Sequence, residues 1–163
     1  MAKNKEEKTN VMRVLEQKKI AYTAHTYPHE EGMAVDGVTV AKSMGFDPAI
    51  VFKTLVARGA SKQYYVFDVP VAENLDLKKA AKAVGEKSIE MIHQKELLPL
   101  TGYVHGGCSP VGMKKLFPTV FHETAENLET MIVSAGKIGY QVELARRDLA
   151  ALVRAKFADI IVE

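Results

Sequence analysis

No strand-like or helix-like run in this chain is long, and glycine or proline closes most of them. That pattern argues against the strand-then-long-helix repeat of a doubly wound parallel sheet. It predicts an α+β fold: a mixed, mostly antiparallel sheet, curved or barrel-like, flanked by helices. At 163 residues the chain is one domain's worth of sequence. Residues 10–162 are expected to form a single domain, and the charged residues 1–9 a flexible N-terminus.

Local signals place the elements. Thr9 or Asn10 can cap a first helix, where Val11, Met12, Val14 and Leu15 form an apolar stripe. Residues 20–27 read as a strand ended by Pro28, 29–37 as a loop, and 38–44 as a short helix stopped by Gly45. Residues 50–56 and 63–69 read as strands joined by a hairpin turn over 57–62. Asp76 caps a helix over 77–84, which Gly85 ends. Residues 87–92 suggest a strand and 94–98 a helical piece. Short strands follow at 119–121, 131–133 and 140–144. A last helix spans 147–156, ahead of an apolar tail at 160–162.

Composition then excludes several chemistries. Cys108 is the single cysteine, so an intramolecular disulfide is impossible. With five scattered histidines there is no CxxC or HExxH spacing, and neither a metal nor a cofactor is expected. The basic N-terminus lacks the apolar core of a secretory signal, and no membrane-spanning run follows, so a cytoplasmic location is expected. A net charge of +2 is weak support for a nucleic-acid partner. The basic residues between 137 and 156 suit a light phosphate contact or an ordinary solvated face.

Three stretches are candidates for chemistry. Lys53 stands inside the apolar run VFKTLV. Alternation puts Phe52, Thr54 and Val56 on one strand face, and Val51, Lys53 and Leu55 on the other. Lys53 either reaches a cleft or a partner, or guards an edge strand. Gly106-Gly107-Cys108-Ser109-Pro110-Val111-Gly112 is a backbone-defined loop, without P-loop or GxGxxG spacing. Such a loop can aim N–H groups at an anion or a developing oxyanion, or simply cross tightly between elements. Ser134-Ala135-Gly136-Lys137-Ile138-Gly139 is either a pocket-lining loop or a plain turn. Cys108 invites a thiol-enzyme reading, with His105 as base, but a single buried cysteine more often acts as a small hydrophobe. His25 and His29 read as solvated or core residues ahead of a metal pair.

Taken together, these stretches resemble a known family. HTYPH at 25–29, VFKTL at 51–55 and PVAENLDLKKAAKAVG at 70–85 come first. TGYVHGGCSPVGMKKLFPT at 101–119, IVSAGKIG at 132–139, VELA at 142–145 and DLAALVRAKFADI at 148–160 follow in family order. The chain is similar to the YbaK/EbsC-type Cys-tRNA(Pro) deacylases, relatives of the editing (insertion) domain of bacterial prolyl-tRNA synthetase. The resemblance implies the YbaK editing-domain fold and trans-editing removal of cysteine from mischarged tRNA(Pro). It implies catalytic roles for Lys53 and the backbone donors Gly106 and Gly107. It implies substrate binding by Tyr27, Thr54 and Ser134, and by Gln141 at a position where cysteine-specific relatives tend to carry aspartate. Glutamine can hydrogen-bond there but supplies no charge. The implied partners are the acceptor end of mischarged tRNA and prolyl-tRNA synthetase. The alternatives are a deacylase for another amino acid such as alanine, and a non-catalytic tRNA- or synthetase-binding module.

Overall fold

The computed structural model describes residues 8–30 and 33–163. Most of the expected flexible N-terminus, residues 1–7, lies outside that range, as do residues 31 and 32 of the loop assigned to 29–37.

Helix α1, Asn10–Gln17, is capped by Thr9, whose hydroxyl oxygen accepts the Met12 N–H at 3.2 Å. It buries Val11, Met12 and Leu15, an apolar stripe at i, i+1, i+4 spacing. Strand β1 is Tyr22–Thr26, and α2 is Gly37–Ser43. Asp36 caps α2 by accepting from the Thr39 N–H and hydroxyl at 3.0 and 3.1 Å.

A 3-10 turn at Pro48–Ile50 leads into β2, Phe52–Gly59, which pairs antiparallel with β3, Tyr64–Pro70. The hairpin turn is tighter than the sequence suggests. Ala57, Arg58 and Gly59 stay in the strand, because Ala57 is fully buried and all three pair with a further strand. Helix α3, Leu77–Val84, has its predicted ends: the Asp76 carboxylate accepts from the Lys78 and Lys79 N–H groups, and Gly85 takes a left-handed φ of +75°.

The remaining elements are β4 (Ile89–Met91), α4 (Gln94–Thr101), β5 (Thr119–His122), β6 (Thr130–Ser134), β7 (Tyr140–Ala145), α5 (Arg146–Val153) and β8 (Lys156–Ala158). The last helix is shorter than its apolar pattern predicts. Arg154 turns left-handed at φ +56°, and Lys156–Ala158 pairs parallel with β5, where Phe157 packs edge-on against Phe121.

The strands form two sheets. One is antiparallel, in the order β1-β7-β6; the other is mixed, in the order β4-β2-β3-β5-β8. The mixed α+β architecture is the expected one, but neither sheet closes into a barrel. Among the described residues, a single parallel bridge, Val51 to Ile132, links them. Phe52, Val56, Val66 and Phe121 share the main core with Met131, Val133, Val142 and Leu144, and α1 and α5 seal it. The other face of the mixed sheet packs Ala57, Phe67, Val69 and Val120 against α3 and Ile160. A third cluster, Ala41, Val51, Val71 and Ile132, seats α2 at the junction of the sheets. Burying side chains as large as Phe67 and Phe121 contributes roughly 1.5–3 kcal/mol each.

Candidate active site

Where the two sheets diverge, they leave a cavity of about 400 Å³. Strand β4 pairs only with Ala57–Gly59, so the first half of β2 has no strand partner on that side beyond the Val51 bridge. Residues 51–55 therefore line the opening, together with residues 34–37 before α2, the start of the glycine loop, the end of β6 and the start of β7. The pocket brings together Tyr27, Lys53, Thr54, Gly106, Ser134 and Gln141, six of the seven site residues expected from the sequence.

Lys53 sits on a strand with both faces covered, since Phe52 and Val56 enter the main core and Leu55 packs on the α3 side. That favours the cleft reading over the edge-strand one. Desolvation pulls its ammonium below the ordinary lysine value, while the negative charges of Asp36 and Glu73 oppose the shift. Thr54 lies on the opposite face, as alternation predicts. Its hydroxyl donates to Asp68 Oδ1 at 2.5 Å.

Gly106 has φ +88°, and a β-carbon there would fall 2.6 Å from Ala34 Cβ. Glycine is required at this position on both counts. No carbonyl among the described residues accepts its N–H. Gly107 does not line the pocket. Its N–H is taken by the Val104 carbonyl at 3.0 Å, and a β-carbon would press on the Lys137–Ile138 backbone at 3.0–3.2 Å. The Gly107 N–H is thus already engaged within the loop, and its lack of a side chain lets two loops approach, which departs from the paired-donor expectation.

Tyr27 is buried, and its N–H donates to the Gly139 carbonyl at 2.9 Å, tying β1 to the serine loop. Ser134 Oγ accepts the Gly136 N–H at 3.1 Å, so it both shapes that loop and lines the pocket. Gln141 is 8% exposed, and its Oε1 has no partner among the described residues. His25 lies 2.9 Å from Glu143, and His29 Nδ1 lies 3.1 Å from the Tyr27 carbonyl, which gives each histidine a local structural partner.

Cys108 and His105 also line the pocket. Burial pushes the Cys108 thiol up to about 12, with Asp68 adding to the shift. At neutral pH it is a thiol and a poor nucleophile. Asp68 belongs to none of the stretches that the sequence singles out. It is completely buried on β3, and burial raises its carboxyl to about 7 against the Thr54 hydrogen bond. The available signal was an acid inside the apolar run YYVFDVP.

Among the described residues, no helix is long and apolar enough to cross a membrane, and no group of three His, Cys, Asp or Glu side chains could hold a metal ion. The family described as "Aminoacyl-tRNA editing domain" matches residues 29–152. A protein of Enterococcus faecalis named "Putative Cys-tRNA(Pro)/Cys-tRNA(Cys) deacylase EbsC" is 45% identical over 161 residues, which cover 98% of each chain. A crystal structure described as "a putative trans-editing enzyme for prolyl tRNA synthetase" matches with TM-score 0.80 at 24% identity, covering 94% of this chain and 96% of that one. A second, of a hypothetical protein, matches with TM-score 0.82 at 18% identity, covering 94% and 99%. At such identities the two structures establish the fold. The family match over most of the chain and the full-length relative establish more: the protein belongs to the aminoacyl-tRNA editing domain family, in its EbsC-type branch.

Proposed function

We propose that the protein is a trans-editing deacylase that removes cysteine mischarged onto tRNA(Pro). The observation that carries the reading is the convergence of Lys53, Thr54, Ser134, Gln141 and Gly106 on one cavity whose own thiol is held protonated. The name of the 45% identical relative supports the substrate. The Lys53 ammonium is a compact charge suited to the terminal ribose or phosphate of the acceptor end. The Gly106 N–H suits the oxyanion that forms on the ester carbonyl. Tyr27, Thr54, Ser134 and Gln141 orient the terminal adenosine and the amino acid. A net charge of only +2 fits a grip on the single-stranded end, with prolyl-tRNA synthetase supplying further tRNA affinity.

The nucleophile in this reading is the substrate's own side chain. The cysteine thiol loses its proton and attacks the ester carbonyl carbon. The carbonyl–ribose bond breaks, and its electron pair leaves on the ribose oxygen, which takes up a proton. The products are a four-membered thiolactone and uncharged tRNA. Intramolecular attack gains from proximity, while ring strain makes the step dependent on oxyanion stabilisation. The test is a deacylation panel with Cys-, Ala-, Pro- and Ser-charged tRNA(Pro). Fast loss of cysteine alone is expected. Preferential loss of alanine would move the specificity, and ester half-lives unchanged by the protein would leave a binding module.

A further inference from the structure

The Asp68 carboxylate lies behind the pocket wall, away from solvent. It sits on β3 in register with Thr54 of β2 and Phe121 of β5, and it is 0% exposed. Oδ1 receives the Thr54 hydroxyl at 2.5 Å, and Oδ2 has no partner among the described residues. Stability alone does not account for such a group. A buried carboxylate with one hydrogen bond is unfavourable, and an apolar residue of similar size would suit this strand better.

The consequence falls on Thr54. A threonine hydroxyl has one hydrogen and two acceptor lone pairs. Its hydrogen points at Asp68, so the face that Thr54 turns to the pocket is an acceptor. Gln141 offers a second acceptor on the same cavity, the buried and unpartnered Oε1. Asp36, the acid lining the cavity, is engaged with Thr39 at the head of α2. Two acceptors with a buried carboxylate behind them complement a cation that has several N–H donors. On an aminoacyl ester that cation is the α-ammonium.

Resting on the deacylase reading of this pocket, we infer that Asp68 is a positioning residue. It turns the Thr54 hydroxyl hydrogen away from the cavity, so that Thr54 and Gln141 receive the α-ammonium of the aminoacyl group. In its carboxylate form Asp68 thereby supplies, through Thr54, the negative charge that Gln141 does not.

Two measurements test this. The first uses the protein alone and follows the Asp68 carboxyl carbon by NMR through a pH titration, assigned by its disappearance in Asp68→Asn. The groups facing Asp68 are Thr54 and Cys108, and the thiol stays protonated across this range. A hydroxyl that donates favours the carboxylate, so Thr54→Val raises the Asp68 midpoint. A midpoint that stays or falls overturns the assigned hydrogen direction, whatever the substrate.

The second compares steady-state cleavage of Cys-tRNA(Pro) with that of 3-mercaptopropionyl-tRNA(Pro), which keeps the thiol and lacks the amine. The wild type is expected to show a KM about tenfold or more lower for the amine-bearing ester, the scale of a charge-assisted hydrogen bond. Asp68→Asn and Thr54→Val raise KM for the amine-bearing ester and so lose that preference, and Thr54→Ser, which keeps the hydroxyl, retains it. An Asp68→Asn or Thr54→Val protein that still discriminates as the wild type does overturns the inference. A wild type that cleaves neither ester instead removes the deacylase reading, and the titration alone then decides the Thr54 polarity.

Discussion

Asp68 makes stability depend on pH in a direction opposite to that of most carboxylates. Folded, the group titrates at about 7; unfolded, it returns near the ordinary aspartate value of 3.8. The native state therefore holds the proton more tightly than the unfolded chain. Its contribution to stability is fully present below the unfolded value and is lost as pH rises through about 7. The whole span corresponds to roughly 4 kcal/mol, of which roughly 3 kcal/mol falls between pH 5 and pH 8. The perturbation is Asp68→Asn, which removes the titration and keeps the shape. The assay is urea unfolding of both proteins at pH 5, 6, 7 and 8, read as the difference between them. Taking the difference cancels every other titrating group that Asp68 does not touch. Relative to Asp68→Asn, the wild type should lose about 3 kcal/mol of stability between pH 5 and pH 8. A difference that is flat across the range, or that grows in the wild type's favour with pH, would refute the assignment of a desolvated carboxyl.

Other expectations rest on the pocket's remaining residues. Lys53→Ala should fold, because the side chain is only half-buried, yet lose most deacylation of Cys-tRNA(Pro), with Lys53→Arg failing to restore it since a planar guanidinium does not fit where an ammonium does; single-turnover rates decide. Gly106→Ala meets both a left-handed backbone and the Ala34 methyl, so chemical denaturation should show a loss of at least about 1–2 kcal/mol. Its turnover per folded molecule should fall further, and equal turnover would reject the donor role. Cys108→Ser should stay active, and Ser-tRNA(Pro) should be cleaved far more slowly than Cys-tRNA(Pro), because a neutral hydroxyl is the weaker nucleophile. Loss of activity in a folded Cys108→Ser protein would return the attack to that thiol.

Features governed by local chemistry were legible in the sequence. Thr9 and Asp76 cap helices because a short acceptor side chain precedes an apolar stripe, and Gly85 ends one because it can turn left-handed. Lys53 stood out because a charge inside a β-forming run must go somewhere. What escaped depends on contacts between distant residues. β8 pairs parallel with β5 across more than thirty intervening positions, and its three residues carry no signal of their own. Gly107 looked like a second donor because it follows Gly106. Only the approach of Lys137 and Ile138 reveals why it is glycine. Asp68 was hidden by its surroundings, since nothing in YYVFDVP says that Thr54 lies opposite.

The placement of the pocket follows from the same topology. Two sheets that share one core but join through a single bridge must part at one end, and the strand that carries the bridge loses its neighbour there. The side chains on the two faces of β2 just after Val51 then meet unequal environments. Thr54 stays against the buried Asp68, and Lys53 keeps partial contact with water. This separates an anionic support from a cationic one across a single strand, with the thiol of Cys108 held neutral beside them. On the proposed reading, a cavity arranged in this way holds an aminoacyl ester by both ends, while the Cys108 thiol beside it stays protonated. The proposed mechanism then relies on a substrate that supplies the attacking atom, and cysteine is an amino acid whose side chain can do so at neutral pH.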